Sequence, residues 1–145
     1  MVRQSVEEFA RDFSEIGRTI GDDFTDALSA CRNMVSDAID SNFVNARTAA
    51  GEAWPPRKDP VPTHPLLILL GDLKEAATGG DVDRIEDGHV LVFGVSTGTI
   101  VYAGVQNFGW PERNIKPRPY MGISEAIVDQ CADVIVDQKV AELAA

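Results

Sequence analysis

Apolar positions over residues 5–47 recur at helical spacing. Val6, Phe9, Phe13, Ile16 and Ile20 are three or four apart, which marks one face of a 3.6-residue period. Ser5 and Glu8 fit a capping box at the start of this run. Gly17 and Gly21 weaken its middle, each by about 1 kcal/mol against Ala. Asp22 is placed to cap a second helix carrying Phe24, Leu28, Cys31, Met34 or Val35, and Ile39. One bent helix and two separate helices both fit the pattern; a break near Gly21 is the favoured reading.

The periodicity stops at a connector over residues 48–65. Gly51, Trp54, Pro55, Pro56, Pro60 and Pro62 interrupt any regular element there, since each Pro removes an amide donor. Leu66, Leu69, Leu70 and Leu73 then share one side of a short helix over residues 66–77, closed by Gly79-Gly80. Asp87-Gly88 is a hairpin signal between strands at 81–86 and 89–95. The second of these, Val90 to Val95, is apolar on both faces, which predicts cover on both. Residues 100–108 fit a third strand or a short helix equally. Arg113 to Pro119 reads as an extended basic loop, and Ser124 caps a final helix ending near Leu143. Its inward face would carry Ile123, Ile127, Cys131, Val134 and Ala141. The order predicts one α+β domain spanning residues 1–145, with N-terminal helices (1–47), the connector, and a body (66–145). In that body a C-terminal helix packs on a small antiparallel sheet.

Composition narrows the function classes. The 145 residues include 13 Lys plus Arg against 23 Asp plus Glu, a net charge of -10. An acidic chain is a poor grip for nucleic acid, because neutralising phosphates takes clustered Lys and Arg. It gains nothing from anionic lipid either. The longest apolar run, Pro65 to Leu70, is far below the ~20 residues of a transmembrane helix. No basic region followed by an apolar run begins the sequence, so no signal peptide is expected. The two cysteines, Cys31 and Cys131, lie in predicted helices and read as buried, reduced thiols.

Little in the sequence points to catalysis. There is no Gly-x-Ser-x-Gly elbow, no phosphate-binding Gly loop and no Cys/His set at zinc spacing. His64 sits in the connector and His89 beside the hairpin turn, where exposed imidazoles are the simpler account. Asp129, Asp133 and Asp137 form an acidic stripe at four-residue spacing, which reads first as a solvated helix face. No catalytic, cofactor-binding or metal-ligating residue is assigned.

Interface chemistry is concentrated in one segment. Tyr102, Gln106, Asn107, Phe108, Gly109, Trp110, Arg113, Arg118, Pro119 and Tyr120 place four of ten aromatics and two arginines within nineteen positions. Tyr, Trp and Arg are the usual anchors of protein interfaces. Glu112 to Arg118 holds three bases against one acid, whereas the helix from Gly122 onward holds five acids against one base. Two readings remain open. The aromatics fill the core and the arginines pair within one subunit, or the basic arm and acidic helix meet between copies, head to tail.

The ordered motifs resemble the phage virion morphogenesis family, the tail-completion proteins of Mu-like tailed phages. The resemblance runs through Gly51 and Trp54-Pro55, then Leu67, Leu70, Gly71 and Leu73. It continues with Tyr102-Ala103 and Phe108-Gly109, and ends with Pro117-Arg118-Pro119-Tyr120-Met121-Gly122-Ile123-Ser124. It covers residues 43–143. The His-Gln that commonly precedes Phe-Gly in the family is Gln106-Asn107 here. The resemblance implies a non-enzymatic virion protein that completes or terminates the tail at the head–tail junction, assembled in the host bacterial cytoplasm. It implies a homo-oligomeric ring, commonly a hexamer, with the tail tube and head–tail connector as partners and DNA only in passage. A head-side neck or connector adaptor is the alternative, and a small hydrolase a weaker one. In the ring, Arg118 would form an inter-subunit ion pair. Tyr102, Phe108 and Tyr120 would hold the loop to the body. Trp54 and Trp110 would anchor to a neighbour or to the core. The stripe Asp129, Asp133, Asp137 would line the lumen or face a partner.

Overall fold

The computed structural model describes residues 11, 23–59, 63, 65–68, 71–85, 88–96 and 98–145. The expected helix over residues 5–20, its capping box, the break near Gly21 and His64 lie outside these, apart from the helical Arg11. The described part is an α+β fold. It consists of α1 (Thr25–Asn45), α2 (Asp72–Thr78), β1 (Gly80–Ile85), β2 (Gly88–Phe93), α3 (Ala103–Phe108), a 3-10 turn at Pro111–Arg113, and α4 (Glu125–Ala144). Among the described residues, no helix is long and apolar enough to cross a membrane.

Helix α1 is the central element, touching α2, α4 and both strands. Its buried positions, Ala27, Cys31, Val35, Ile39, Asn42 and Phe43, follow the 3.6-residue period. Asp23 accepts the Thr25 N–H at 3.0 Å; the expected cap, Asp22, lies outside the described residues. That bond, made to the charged form, holds the Asp23 carboxyl below its usual range. Ala46 in the left-handed region ends the helix, its N–H returning to Phe43.

The leucine segment differs from expectation. Leu67 and Gly71 both have positive φ, at 62° and 91°. The chain therefore turns at residues 65–68, and α2 starts only at Asp72. Leu69 and Leu70 lie outside the described residues. Leu73, fully buried, carries the apolar contact of α2, while Lys74 pairs with Asp40 of α1 at 2.7 Å.

The hairpin forms one residue away from its expected register. Ile85 pairs with Gly88, so Gly88 joins the ladder and residues 86 and 87 connect the strands. Cover is one-sided rather than two-sided. Leu91 and Phe93 pack against the core, whereas Val92 is exposed. Among the described residues the sheet has two strands, β1 and β2. The Phe93 ring lies over its cross-strand partner Gly80, where an added Cβ would meet ring atoms at 2.3–2.6 Å. His89 is half-buried rather than exposed, its Nδ1 facing the Phe24 N–H at 3.5 Å.

Residues 100–108 resolve as a turn followed by the helix α3, not a strand. Helix α4 begins after the extended Ser124 and packs along α1. Ile127, Cys131 and Val134 face inward as expected, but Ala141 is exposed. The one buried residue of α4 is a charged one, Lys139. Its ammonium donates to the Asp23 carbonyl and to Glu142 Oε2, and lies 4.5 Å from the Phe24 ring centroid. A buried ammonium is tolerated when several acceptors share it. Lys139 thus fixes the C-terminal half of α4 to the start of α1.

Cys31 and Cys131 meet across this packing. The Cys31 thiol donates to the Cys131 carbonyl at 3.5 Å, and both cysteines are free. Burial, and then the neighbouring Cys131, push the Cys31 thiol up to about 11. It therefore carries little thiolate near neutrality. In the native protein, iodoacetamide at about pH 8 should label half-buried Cys131 well before Cys31, and denaturant should abolish the difference. Timed digests read by mass spectrometry check this; equal native rates would contradict the packing of α4 on α1.

Candidate functional site

The segment from Arg118 to Gly122 runs extended between α1, α3 and the connector without joining a sheet. Its backbone groups still need partners, and side chains from distant parts of the chain supply most of them. Asn107 Oδ1 accepts from the Tyr120 and Met121 N–H groups, both at 3.1 Å. From the other side, Asn42 Nδ2 donates to the carbonyls of Tyr120 at 3.0 Å and Gly122 at 3.1 Å. Trp54 Nε1–H donates to the Pro119 carbonyl at 3.0 Å. The Arg118 N–H donates to the Gln106 carbonyl at 2.7 Å.

This clamp decides where the expected interface residues go. Trp54 and Tyr120 are 5% and 2% exposed, so both are core residues rather than anchors to a neighbour. Their rings pack on Phe43, at 5.8 Å edge-on and 5.2 Å tilted. The Tyr120 hydroxyl donates to the Ala103 carbonyl at 2.9 Å, which holds the loop to the body as expected. Pro119 is half-buried and acts through its carbonyl. Tyr102 and Phe108 do not hold the loop: they are 51% and 79% exposed. Helix α3 is one and a half turns long, and its inward side is taken by Ala103 and Asn107.

Gly109 makes the next turn possible. Its φ is 78°, and a Cβ there would meet the Ile115 carbonyl at 2.8 Å and Pro117 N at 2.9 Å. The chain then doubles back, with Trp110 bridging Ile115. This presents Trp110 partly exposed, with the Arg113 guanidinium 4.6 Å above its ring.

Arg118 is an internal strut. Its Nε donates to the Pro55 carbonyl and its Nη2 to the Pro56 carbonyl, both at 2.9 Å, and Nη1 faces Gln106 Oε1 at 3.5 Å. Among the described residues its partners are carbonyl oxygens, with no carboxylate, so the charge is held in place but not neutralised. Burial first, and nearby Arg57 second, lower its pKa from the ordinary arginine value. Arg118 forms the base of a cleft of about 540 Å³ between the connector and the arm. Arg57, Lys58 and Lys116 also line it, against one acid, Asp59.

Two surfaces therefore flank α3. One is aromatic and apolar: Val101, Tyr102, Phe108 and Trp110. The other is the cationic cleft. Asp129, Asp133 and Asp137 are all exposed on α4, away from both. Among the described residues, no three His, Cys, Asp or Glu side chains converge as a metal site. Searches of family models, curated proteins and solved structures return no match for this chain.

Asn42 was not singled out by sequence reasoning, and Asn107 was noted beside Phe-Gly with no role assigned to it. A mid-helix Asn and an Asn beside Phe-Gly carry no signal of their own until the segment they clamp is in place. Asn107→Ala should cost about 2–4 kcal/mol, since two inward-facing N–H groups lose their acceptor. Gly109→Ala should also destabilise, and by more than Gly51→Ala, where φ is 87° but no atom lies within 4 Å. Urea unfolding of the three variants measures both orders. An Asn107→Ala protein as stable as the parent would refute the clamp.

Proposed function

We propose that this protein is a structural, non-enzymatic subunit of a tailed-phage virion, which completes the tail at the head–tail junction as a ring of identical copies. One observation carries the reading. The family-like residues Trp54 and Arg118 to Tyr120 converge on a single clamp, and Gly109 turns the chain beside Pro117. That clamp supports an exposed aromatic face on α3 and the following turn. Several large exposed aromatics close together in the sequence of a small domain support a contact surface there. The acidic balance supports the same reading. A ring around a DNA channel has to let phosphate pass without gripping it, and a chain of net charge -10 does not grip it. The partners under this reading are other copies of the chain, the tail tube and the head–tail connector.

Electron microscopy of particles made without the protein tests this. Full heads and unjoined tails with irregular upper ends should accumulate, and adding the purified chain should restore joining. Normal joined particles in its absence would overturn the reading, as would a protein that stays monomeric both alone and with purified tails. Pull-down of the portal in place of the tube protein would move it to the head side of the junction.

A further inference from the structure

The cleft between the connector and the arm is lined by four bases, Arg57, Lys58, Lys116 and Arg118, against one acid, Asp59. Lys58 and Lys116 are exposed on its opposite walls and have no ion-pair partner among the described residues. Arg118 sits on its floor, fixed by two proline carbonyls and facing Arg57. Holding like charges together around an open cleft disfavours the empty state and favours an anionic occupant.

The exposed side of α4 offers the complementary pattern. Asp129, Asp133 and Asp137 recur every four residues, about 6 Å apart along the helix. Beside that row runs an apolar one, Val128, Val136 and Val140, which are 50%, 58% and 56% exposed. A helix face with an acidic row beside an apolar row matches a surface with a cationic cleft beside an aromatic face. Within one subunit the two surfaces do not touch, since the stripe and the valine row are both open to solvent.

We infer that the cationic cleft of one copy receives the Asp129–Asp133–Asp137 row of α4 from a second copy, while the α3 aromatics cover the adjacent valine row. This rests on the ring reading above and names its contact surfaces. The acidic stripe is then an interface and not the lining of the channel. The two surfaces are different patches of one chain, so the contact is heterologous and propagates from copy to copy until it closes. It also places acids against bases in a molecule whose copies otherwise repel.

Light scattering of the full chain after size exclusion, at low and high salt, tests the inference. Two charge reversals are needed: Lys58→Glu with Lys116→Glu, and Asp133→Lys with Asp137→Lys. All four side chains are exposed, so the fold should be retained, and circular dichroism checks this. Each reversal alone should weaken self-association about tenfold or more. Mixing the two reversed proteins should restore association as an alternating assembly, because the native cleft of one meets the native row of the other and the reversed cleft meets the reversed row. Carrying both reversals on one chain should restore the oligomer. A wild-type oligomer that neither reversal weakens would overturn this contact and leave the ring reading standing. A wild-type protein that is monomeric under all conditions, tails included, would overturn both.

Discussion

The structure depends on how the extended segment Arg118–Gly122 satisfies its backbone. The segment runs through the interior without a neighbouring strand. Leaving its buried amides unpaired would cost about 1–3 kcal/mol each. Asn42 and Asn107 resolve this by holding Tyr120 from opposite sides, one donating and one accepting. Because Asn42 is on α1 and Asn107 on α3, the same four bonds also fix the relation between those helices. Trp54 adds the connector to the assembly through Pro119. A short stretch of irregular chain thereby joins the connector to two helices far apart in sequence.

The candidate site follows from that clamp. With Tyr120 and Asn107 turned inward, α3 is left with Tyr102 and Phe108 on its outer side. With Pro119 held by Trp54, Arg118 points back to the prolines of the connector. Two proline carbonyls are suited to it, since the residues that bear them have no N–H of their own and stay outside regular structure. The guanidinium is thereby committed to a structural task while its charge still shapes the cleft. Strut and electrostatic feature are the same group.

Sequence periodicity was most reliable where one face alone is buried. The face of α1 through Cys31, Val35 and Ile39 and much of the inner face of α4 were legible because a helix packed on one side keeps its 3.6-residue period. It failed where backbone conformation overrode pattern. Leucine spacing predicts a helix from residue 66, but positive φ at Leu67 and Gly71 confines α2 to Asp72–Thr78. Val92 looked like a core residue because β2 is apolar throughout, yet only the face carrying Leu91 and Phe93 packs against the core. The Asp87-Gly88 pair identified the hairpin but not its register, which strand pairing sets.

The sequence by itself determined the α+β class, the acidic charge that disfavours nucleic-acid binding, and the cluster of aromatics and arginines near α3. These are properties of composition and local spacing, and a linear chain displays them directly. Only the tertiary structure decided which members of that cluster face inward. Tyr120 became core, Phe108 and Tyr102 became surface, and Arg118 became a strut. Side chains so close in sequence and so alike in chemistry are sorted by which backbone groups need partners. That need exists only once the distant segments have met.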